Sequence, residues 1–286
     1  MQERETRILA EGYRFLEAPK WHEGRLWMSD VFDARLVSVT LSGEKSVVCE
    51  VPGLPAGQDF LPDGSHITIS AKERRLYRVA DGRLHPYADL SDLAAGRLND
   101  FAVDARGRIY VGDFGYDYHA GESPRPARLY RVDPDGSVRV AAENVEFPNG
   151  SVVVNEGRTL IVAETWVGRI RAFDLSPDGQ LGDSRIFADL GERNPDGLCA
   201  DRDNAIWVCS FNTGEVLRVI KGGKISDRIR IDGAAISCTL GGTDGRTLFI
   251  TCVMGEVDES ESPDAPRNSA VLMARVDVPG QVSRGV

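Results

Sequence analysis

The sequence predicts an all-β protein, a single six-bladed β-propeller domain over residues 1–286 with four-stranded blades around a central channel. Three observations lead to this prediction. Short β-branched and aromatic runs alternate with Gly, Pro, Asp and Asn, while long stretches of helical period are missing. A turn followed by a short apolar strand occurs six times. The copies recur roughly every 40–50 residues, which is the period of one propeller blade.

The six copies share a Gly or Asn at the turn, a residue type that suits the positive φ of a tight hairpin. These turn residues are Gly24, Gly64, Gly107, Gly157, Asn204 and Gly245. Successive turns are 40, 43, 50, 47 and 41 residues apart, and several of the strands that follow end in a small or acidic residue. Further strand-like runs complete each unit, for example 35–40 and 46–51 in the first.

The N-terminal run 6–10 looks like a spare strand, and we expect it to pair with the final blade, whose last run is 270–278. That pairing would close the ring and remove the exposed sheet edges. A β-sandwich with chance similarity among its turns is the alternative fold, and six regularly spaced copies favour the propeller.

The composition excludes several classes of function. The chain has 34 Lys plus Arg against 44 Asp plus Glu, a net charge of -10, so it lacks the basic face that nucleic acids require. No apolar run approaches the roughly 20 residues that cross a bilayer, so no membrane partner is expected. Motifs of the GxSxG, GxGxxG and P-loop types are absent from the sequence, which disfavours serine-hydrolase and nucleotide chemistry.

The cysteines and the N-terminus predict the compartment. The five cysteines are scattered without a CxxC pair, which disfavours a disulfide framework or a zinc ribbon. The charged residues 1–5 lead into no long apolar segment of the kind found in secretory signals. We therefore expect a reduced cytoplasmic protein, as a monomer or a homodimer.

A candidate metal site follows from the repeat, because the first strand of every propeller blade lines the channel. Counting back eight residues from each turn, or seven in the first unit, should reach equivalent places at one mouth. The residues reached are Glu17, Ala56, Asn99, Asn149, Asp196 and Ser237. Four of them carry side-chain oxygens and two are anionic. Taken singly, the Asn-Gly and Asp-Gly pairs at 149–150 and 196–197 would suit hairpin turns, but the shared offset favours convergence on a cation.

The chemistry of these oxygens favours a hard cation. Ligation by oxygen alone, without thiolate or imidazole, is typical of Ca²⁺, and Zn²⁺, Mn²⁺ and Fe²⁺ are the alternatives. Four protein ligands leave room for water and a substrate in a shell of about 6–8 oxygens. The expected cofactor is therefore one divalent metal ion, Ca²⁺ by preference.

Several short motifs, in this order, resemble those of one family. They are Glu17-Ala18-Pro19 followed by Trp21, Arg97-Leu98-Asn99-Asp100, Pro148-Asn149-Gly150, Pro195-Asp196-Gly197, and Ser237-Cys238 before Gly241-Gly242-Thr243-Asp244. Over nearly the whole chain the sequence resembles the senescence marker protein-30/gluconolactonase/luciferin-regenerating family of six-bladed propellers. The resemblance implies metal ligands at Glu17, Asn99, Asn149 and Asp196, the positions that the count reaches. It also implies a lactone as substrate and a substrate-contacting Arg97.

The expected reaction is metal-assisted hydrolysis of a lactone, with the carbonyl polarised by the cation. Asp196 is the candidate general base, or a ligand that orients the attacking water, and Asp100 is the alternative base. Arg97 and Asn99 are candidate substrate contacts, although Arg97 would fit equally well in a salt bridge at the rim.

The insertion 113–122 is too long for a hairpin turn and would form a lid over the channel. Tyr116 and His119 from this insertion, together with Trp166, are expected to shape an aromatic substrate pocket; a plain surface loop is the alternative for each. The acidic stretch 256–261 is expected to be a solvated loop between strands.

Two departures from the family pattern disfavour a gluconolactone-like substrate. Leu240 stands where the family usually has an aromatic residue, and the segment after Asp113 is rich in aromatics. Both favour a more apolar or aryl-substituted lactone. The rival functions are a phosphotriesterase-like hydrolase, a non-catalytic propeller that binds a partner, and a metal-free condensing propeller resembling strictosidine synthase. The metal ligands disfavour the last, and a site with an open side disfavours the non-catalytic scaffold.

Overall fold

The computed structural model describes residues 4–281, and these form 24 β-strands and two short 3₁₀ turns, Val31–Asp33 and Thr165–Val167. The strands make six separate antiparallel sheets of four. The prediction of an all-β six-bladed propeller is confirmed. Within residues 4–281, no helix is both long and apolar enough to span a membrane.

The strands of the first three blades follow one another along the chain, from the innermost outwards. Blade 1 is β2 Leu16–His22, β3 Arg25–Asp30, β4 Arg35–Thr40 and β5 Lys45–Glu50. Blade 2 is β6 Pro55–Phe60, β7 His66–Ser70, β8 Arg75–Ala80 and β9 Arg83–Asp89. Blade 3 is β10 Leu98–Val103, β11 Ile109–Asp113, β12 Ala127–Val132 and β13 Val138–Val145.

The remaining blades keep the same order until the last strand. Blade 4 is β14 Pro148–Val154, β15 Thr159–Glu164, β16 Arg169–Leu175 and β17 Leu181–Asp189. Blade 5 is β18 Pro195–Ala200, β19 Ile206–Ser210, β20 Glu215–Val219 and β21 Ile225–Arg230. Blade 6 combines β22 Gly233–Gly241, β23 Thr247–Met254 and β24 Ser269–Arg275 with the N-terminal β1 Thr6–Tyr13.

The ring is continuous. The inner strands contact each other in the cyclic order β2, β6, β10, β14, β18, β22 and back to β2. Strand β1 pairs antiparallel with β24, with Thr6 opposite Ala274 and Tyr13 opposite Ser269, so blade 6 contains strands from both ends of the chain. All six repeated turn residues have positive φ, for example 75° at Gly24 and 59° at Asn204. The turns therefore join the first and second strands of the blades.

Apolar side chains of neighbouring blades form the core between the sheets. Leu76 and Ile69 of blade 2, for example, share one buried cluster with Phe101 and Val111 of blade 3. The largest fully buried side chains include Trp207 of blade 5 and Phe249 of blade 6. This packing of sheet on sheet fixes the positions of the inner strands around the channel.

The acidic residues that end three of the second strands anchor the segments that lead into inner strands. Asp30 accepts hydrogen bonds from the backbone N–H groups of Arg14 (3.0 Å) and Phe15 (3.1 Å). Asp113 accepts from Ala95 (2.7 Å) and Gly96 (3.1 Å). Glu164 plays the same part for blade 4 by accepting from the N–H of Glu146 at 2.8 Å. Buried carboxylates thus hold the loops at one mouth of the channel in place.

Candidate active site

The inner strands of the first five blades carry a β-bulge at the same place. The pairing register shifts between residues 17 and 20, 55 and 58, 98 and 101, 148 and 151, and 195 and 198. A bulge bends the strand and redirects a side chain, and bulges are common beside active sites. Glu17, Ala56, Asn99, Asn149 and Asp196, the residues reached by the repeat count, lie at or within these bulges.

The five bulge residues line one cavity of about 130 Å³ at a mouth of the channel. The sixth position differs, because in β22 the register shifts earlier, between Ala235 and Ser237, and Ser237 does not line the cavity. Glu17, Asn99, Asn149 and Asp196 therefore bring four side-chain oxygens to the same space, and Ala56 adds only a methyl group.

The Asn-Gly and Asp-Gly pairs form no hairpin turns, because they lie inside β14 and β18. Their glycines instead allow the inner strands to approach closely. A Cβ atom on Gly150 would lie 2.6 Å from the carbonyl oxygen of Asp196, and one on Gly197 would lie 1.9 Å from Ser237 Oγ. Glycine at these two positions lets neighbouring strands bring their preceding residues together.

The two amide side chains are held through their nitrogens. Asn99 Nδ2 donates to the carbonyl oxygen of Pro148 at 3.1 Å, and Asn149 Nδ2 donates to Thr165 Oγ1 at 3.3 Å. Thr165 Oγ1 in turn donates to the carbonyl oxygen of Pro195 at 2.9 Å. This arrangement leaves both amide oxygens available as ligands.

Burial and neighbouring carboxylates dominate the surroundings of both carboxylates. Asp196 Oδ1 is buried and has no hydrogen-bond partner among residues 4–281. Burial, together with the charges of Asp100 and Glu259, raises the pKa of Asp196 well above its usual value. Burial and the charges of Asp196, Asp100 and Glu259 do the same to the pKa of Glu17. Gathering these carboxylates is costly without a cation.

A hard divalent cation fits this set of donors. The orphaned buried oxygen of Asp196, a second carboxylate and two amide oxygens are the kinds of ligand that Ca²⁺ takes. Within the described residues, no group of three or more His, Cys, Asp or Glu side chains is arranged to hold a metal ion. A cation at this mouth would therefore need the two amides as well as the two carboxylates.

Asp100 occupies a different place from its neighbour Asn99. It does not line the cavity, and its Oδ1 accepts the backbone N–H of Phe101 at 2.8 Å. Burial raises the pKa of Asp100 to about 6, although the charge of Lys20 opposes the shift. Because it does not line the cavity, Asp100 is less well placed than Asp196 to contact a substrate.

Of the other four predicted substrate residues, three line the cavity and one does not. Arg97 and His119 line the cavity, and so does Trp166, which is 40% exposed. Tyr116 does not line the cavity: it is buried, with its ring 6.0 Å from that of Phe147. Tyr118 takes the predicted place and stacks on Trp166 with ring centroids 5.7 Å apart.

Arg97 lines the cavity and also lies near a carboxylate at the rim. Its Nη2 lies 4.0 Å from Glu261 Oε1. Lys72 Nζ approaches the other oxygen of Glu261 at 2.5 Å. The rim salt bridge thus orients Arg97 beside the cavity.

Comparison with known proteins agrees with this architecture. Residues 15–254 match the family described as the SMP-30/Gluconolactonase/LRE-like region. The chain belongs to this family. The resemblance noted in the sequence is therefore confirmed, and the match includes all four candidate metal ligands.

The SMP-30/gluconolactonase family relatives include two lactonases. Pentonolactonase XacC of Haloferax volcanii is 27% identical over 282 residues, which cover 96% of this chain and 94% of that protein. The 6-deoxy-6-sulfogluconolactonase of Pseudomonas putida is 29% identical over 190 residues, covering 64% and 63%. The structure of a calcium-binding protein, regucalcin, from Agrobacterium tumefaciens is similar with a TM-score of 0.83 at 23% identity, covering 98% and 96%.

Sequence reasoning missed Glu259. It lies in the segment 255–268 between β23 and β24, where a solvated loop was expected, and it lines the cavity. Arg14 Nη2 donates to the carbonyl oxygen of Ser260 at 3.1 Å, which helps to hold this segment against the mouth. The signal was its length, because a connection this long exceeds any hairpin turn, as does the segment 113–122.

Proposed function

We propose that this chain is a metal-dependent lactonase whose cation is held by Glu17, Asn99, Asn149 and Asp196. The observation that carries the proposal is the convergence of two carboxylates and two amides, with one buried oxygen of Asp196 left without a partner among residues 4–281. Two relatives bear the names of lactonases, and a structural neighbour is titled a calcium-binding protein. These names support a lactone substrate and Ca²⁺ as the preferred ion.

The chemistry that a divalent cation supplies here when bound is polarisation of the ester carbonyl. Asp196 orients the attacking water and accepts its proton through its carboxylate. The water oxygen forms a bond to the carbonyl carbon, the ring C–O bond breaks, and the leaving oxygen takes up the proton. The product is the open hydroxy acid.

Arg97 is the side chain best placed to orient the substrate. Its guanidinium reaches the cavity from the rim, where it is steadied by Glu261. A planar, permanently charged donor in this position suits the ring oxygen or a polar substituent of a lactone. The small-molecule substrate thus enters from the same mouth at which the four ligands meet.

The test is acid release from a panel of lactones and phosphotriesters, using protein stripped with EDTA and then reloaded with Ca²⁺, Zn²⁺, Mn²⁺ or Fe²⁺. We expect lactone hydrolysis that is lost on stripping and regained on reloading. Asp196→Asn and Glu17→Gln should abolish turnover, whereas Glu11→Gln, a change at an exposed carboxylate on β1, should not.

Three results would contradict the proposal. Full lactone hydrolysis in EDTA would remove the cation from the mechanism. Hydrolysis of phosphotriesters alone would favour the phosphotriesterase alternative. Absence of turnover with every substrate and cation would favour a non-catalytic propeller that binds a partner.

A further inference from the structure

We infer that the cavity takes an uncharged lactone with an apolar or aryl substituent, gripped between two aromatic pairs on opposite blades, rather than a polyhydroxylated sugar lactone. The inference rests on the proposed lactonase function and extends it to a substrate class. Its basis is the part of the cavity wall that surrounds the four candidate ligands.

The first aromatic pair comes from blade 1. Phe15 immediately precedes the inner strand β2, and Phe32 lies in the 3₁₀ turn that follows β3. Their ring centroids are 5.4 Å apart in an edge-to-face arrangement, and both line the cavity.

The second pair occupies the equivalent positions of blade 4. Phe147 immediately precedes β14, and Trp166 lies in the 3₁₀ turn that follows β15. Their ring centroids are 5.2 Å apart, and both line the cavity. Blades 1 and 4 are opposite each other in a ring of six, so the two pairs flank the ligand site from opposite sides.

Neighbouring rings extend the second pair into a wall. Phe114 stacks on Phe147 with centroids 4.5 Å apart, and Tyr118 stacks on Trp166 at 5.7 Å. Trp166 is nevertheless 40% exposed, so its face remains available for a substituent of the substrate. Open aromatic faces at a cavity that also holds the reacting groups favour a flat apolar ligand.

Few polar side chains remain for the hydroxyl groups of a sugar. Apart from the four candidate ligands, the polar groups of the lining belong to Arg97, Tyr118, His119, Thr165, Trp166 and Glu259, and the hydroxyl of Tyr118 and the indole N–H of Trp166 lie on aromatic rings. Thr165 Oγ1 already donates to the Pro195 carbonyl and accepts from Asn149, and Arg97 lies against Glu261. A hydroxyl group that enters such a wall without a partner loses its hydrogen bonds to water.

The charges disfavour an anionic substituent as well. Three lining carboxylates, Glu17, Asp196 and Glu259, face one lining guanidinium, Arg97, which is shared with Glu261. A divalent cation would bring this set to about neutrality, so no surplus positive charge remains to attract an acidic group. An uncharged substituent therefore binds beside these side chains with the smallest electrostatic cost.

The test compares kcat/KM of the metal-loaded enzyme for a phenyl-substituted δ-lactone, unsubstituted δ-valerolactone and glucono-1,5-lactone. Burial of a phenyl ring against aromatic side chains should make the phenyl lactone about 100-fold better than the other two. Trp166→Ala and Phe32→Ala, one from each pair, should each lower the ratio of phenyl to unsubstituted lactone by about 10-fold or more. Val167→Ala changes an exposed neighbour that does not line the cavity, and it should leave this ratio unchanged.

A second measurement is independent of turnover. Calorimetric titration of a non-hydrolysable phenyl-substituted δ-lactam should show binding to the wild-type protein that weakens about 10-fold or more in Trp166→Ala and Phe32→Ala. The thermal midpoints of both variants confirm folding, since neither side chain is fully buried.

The outcomes separate the inference from the proposed function. Hydrolysis of glucono-1,5-lactone as fast as the phenyl lactone, or a ratio unmoved by both variants, overturns the aromatic inference and leaves the lactonase proposal intact. Failure to cleave any lactone overturns the lactonase proposal, and the lactam titration then decides separately whether the aromatic pairs bind an apolar ring. Absence of lactam binding contradicts the inference.

Discussion

Asp196→Asn should stabilise the protein when the cation is absent and remove the stabilisation that the cation provides. In the native protein, Asp196 places a buried carboxylate beside Glu17 and leaves Oδ1 without a donor among the described residues. Converting the carboxylate to an amide removes a buried negative charge that lies near the charges of Asp100 and Glu259. The change keeps the shape of the side chain.

The change in the free energy of unfolding caused by Asp196→Asn should have opposite signs in EDTA and in Ca²⁺. The variant keeps a buried polar group without a partner but loses its charge. Because burying a charge costs more than burying a neutral polar group, the variant should gain on the order of 1–3 kcal/mol of free energy of unfolding in EDTA. A ligand that binds only the native state at 100 times its Kd adds about 2.7 kcal/mol, and the variant should lose most of this gain in Ca²⁺. The variant should therefore be more stable than wild type in EDTA and less stable than wild type in Ca²⁺.

The assay is equilibrium denaturation in urea at pH 8, in EDTA and in saturating Ca²⁺. Glu11→Gln is the matched control, since it neutralises an exposed carboxylate on β1 and should behave as wild type in both conditions. A variant that is less stable than wild type in EDTA, or that retains the whole Ca²⁺ effect, would refute the reasoning.

Three further predictions concern other parts of the molecule. Burial lowers the pKa of His66 to about 3, so below pH 6.5 the unfolded chain takes up a proton that the native state does not. The contribution of His66 to the free energy of unfolding should therefore fall by about 2 kcal/mol as the pH drops from 7.5 to 5, measured in EDTA as the difference between wild type and His66→Gln. His66→Gln should remove that difference between native and unfolded protein. Asp113→Ala should cost on the order of 4 kcal/mol in urea denaturation, because Ala95, Gly96 and Arg128 lose their acceptor. Arg97→Ala should raise KM about 10-fold for a lactone without lowering the thermal midpoint.

Each of these predictions has a result that contradicts it. An unchanged pH dependence in His66→Gln would mean that the imidazole is not kept neutral by burial. A loss below about 1 kcal/mol in Asp113→Ala would show that the loop 95–96 does not depend on the carboxylate. Lys72→Ala, which removes the other cationic partner of Glu261 but not a cavity residue, is the control for Arg97. If Arg97→Ala and Lys72→Ala changed KM equally, Arg97 would act only through its salt bridge at the rim and not as a substrate contact.

The architecture was accessible from the sequence because each blade repeats the same turn. A residue with positive φ at Gly24 and its five equivalents fixes where the second strand begins, so counting back locates the inner strand. The count reached Glu17, Asn99, Asn149 and Asp196 because the first five inner strands share a bulge at one offset. No particular residue type marks the bulge in this sequence. Because the bulge recurs in each of these strands, the spacing between the bulge residue and the turn that follows is nevertheless nearly constant.

The surroundings of the site were less accessible, because they depend on loops without a repeat. Within 113–122, the direction of each ring depends on local backbone conformation, which brings Tyr118 to the cavity and buries Tyr116 behind Phe147. Glu259 reaches the site through tertiary contacts of a long connection, which no local pattern encodes. Asp100 follows Asn99 directly, but within the bulge its carboxylate accepts the N–H of Phe101 and does not line the cavity.

The most direct measurement is an anomalous-difference map from crystals grown with Mn²⁺, collected near the manganese absorption edge. We predict one strong peak at the channel mouth, with oxygens of Glu17, Asn99, Asn149 and Asp196 all within about 2.6 Å of it. A map with no peak at that position would contradict the claim that these four side chains form a metal centre, whether or not Mn²⁺ binds elsewhere on the protein.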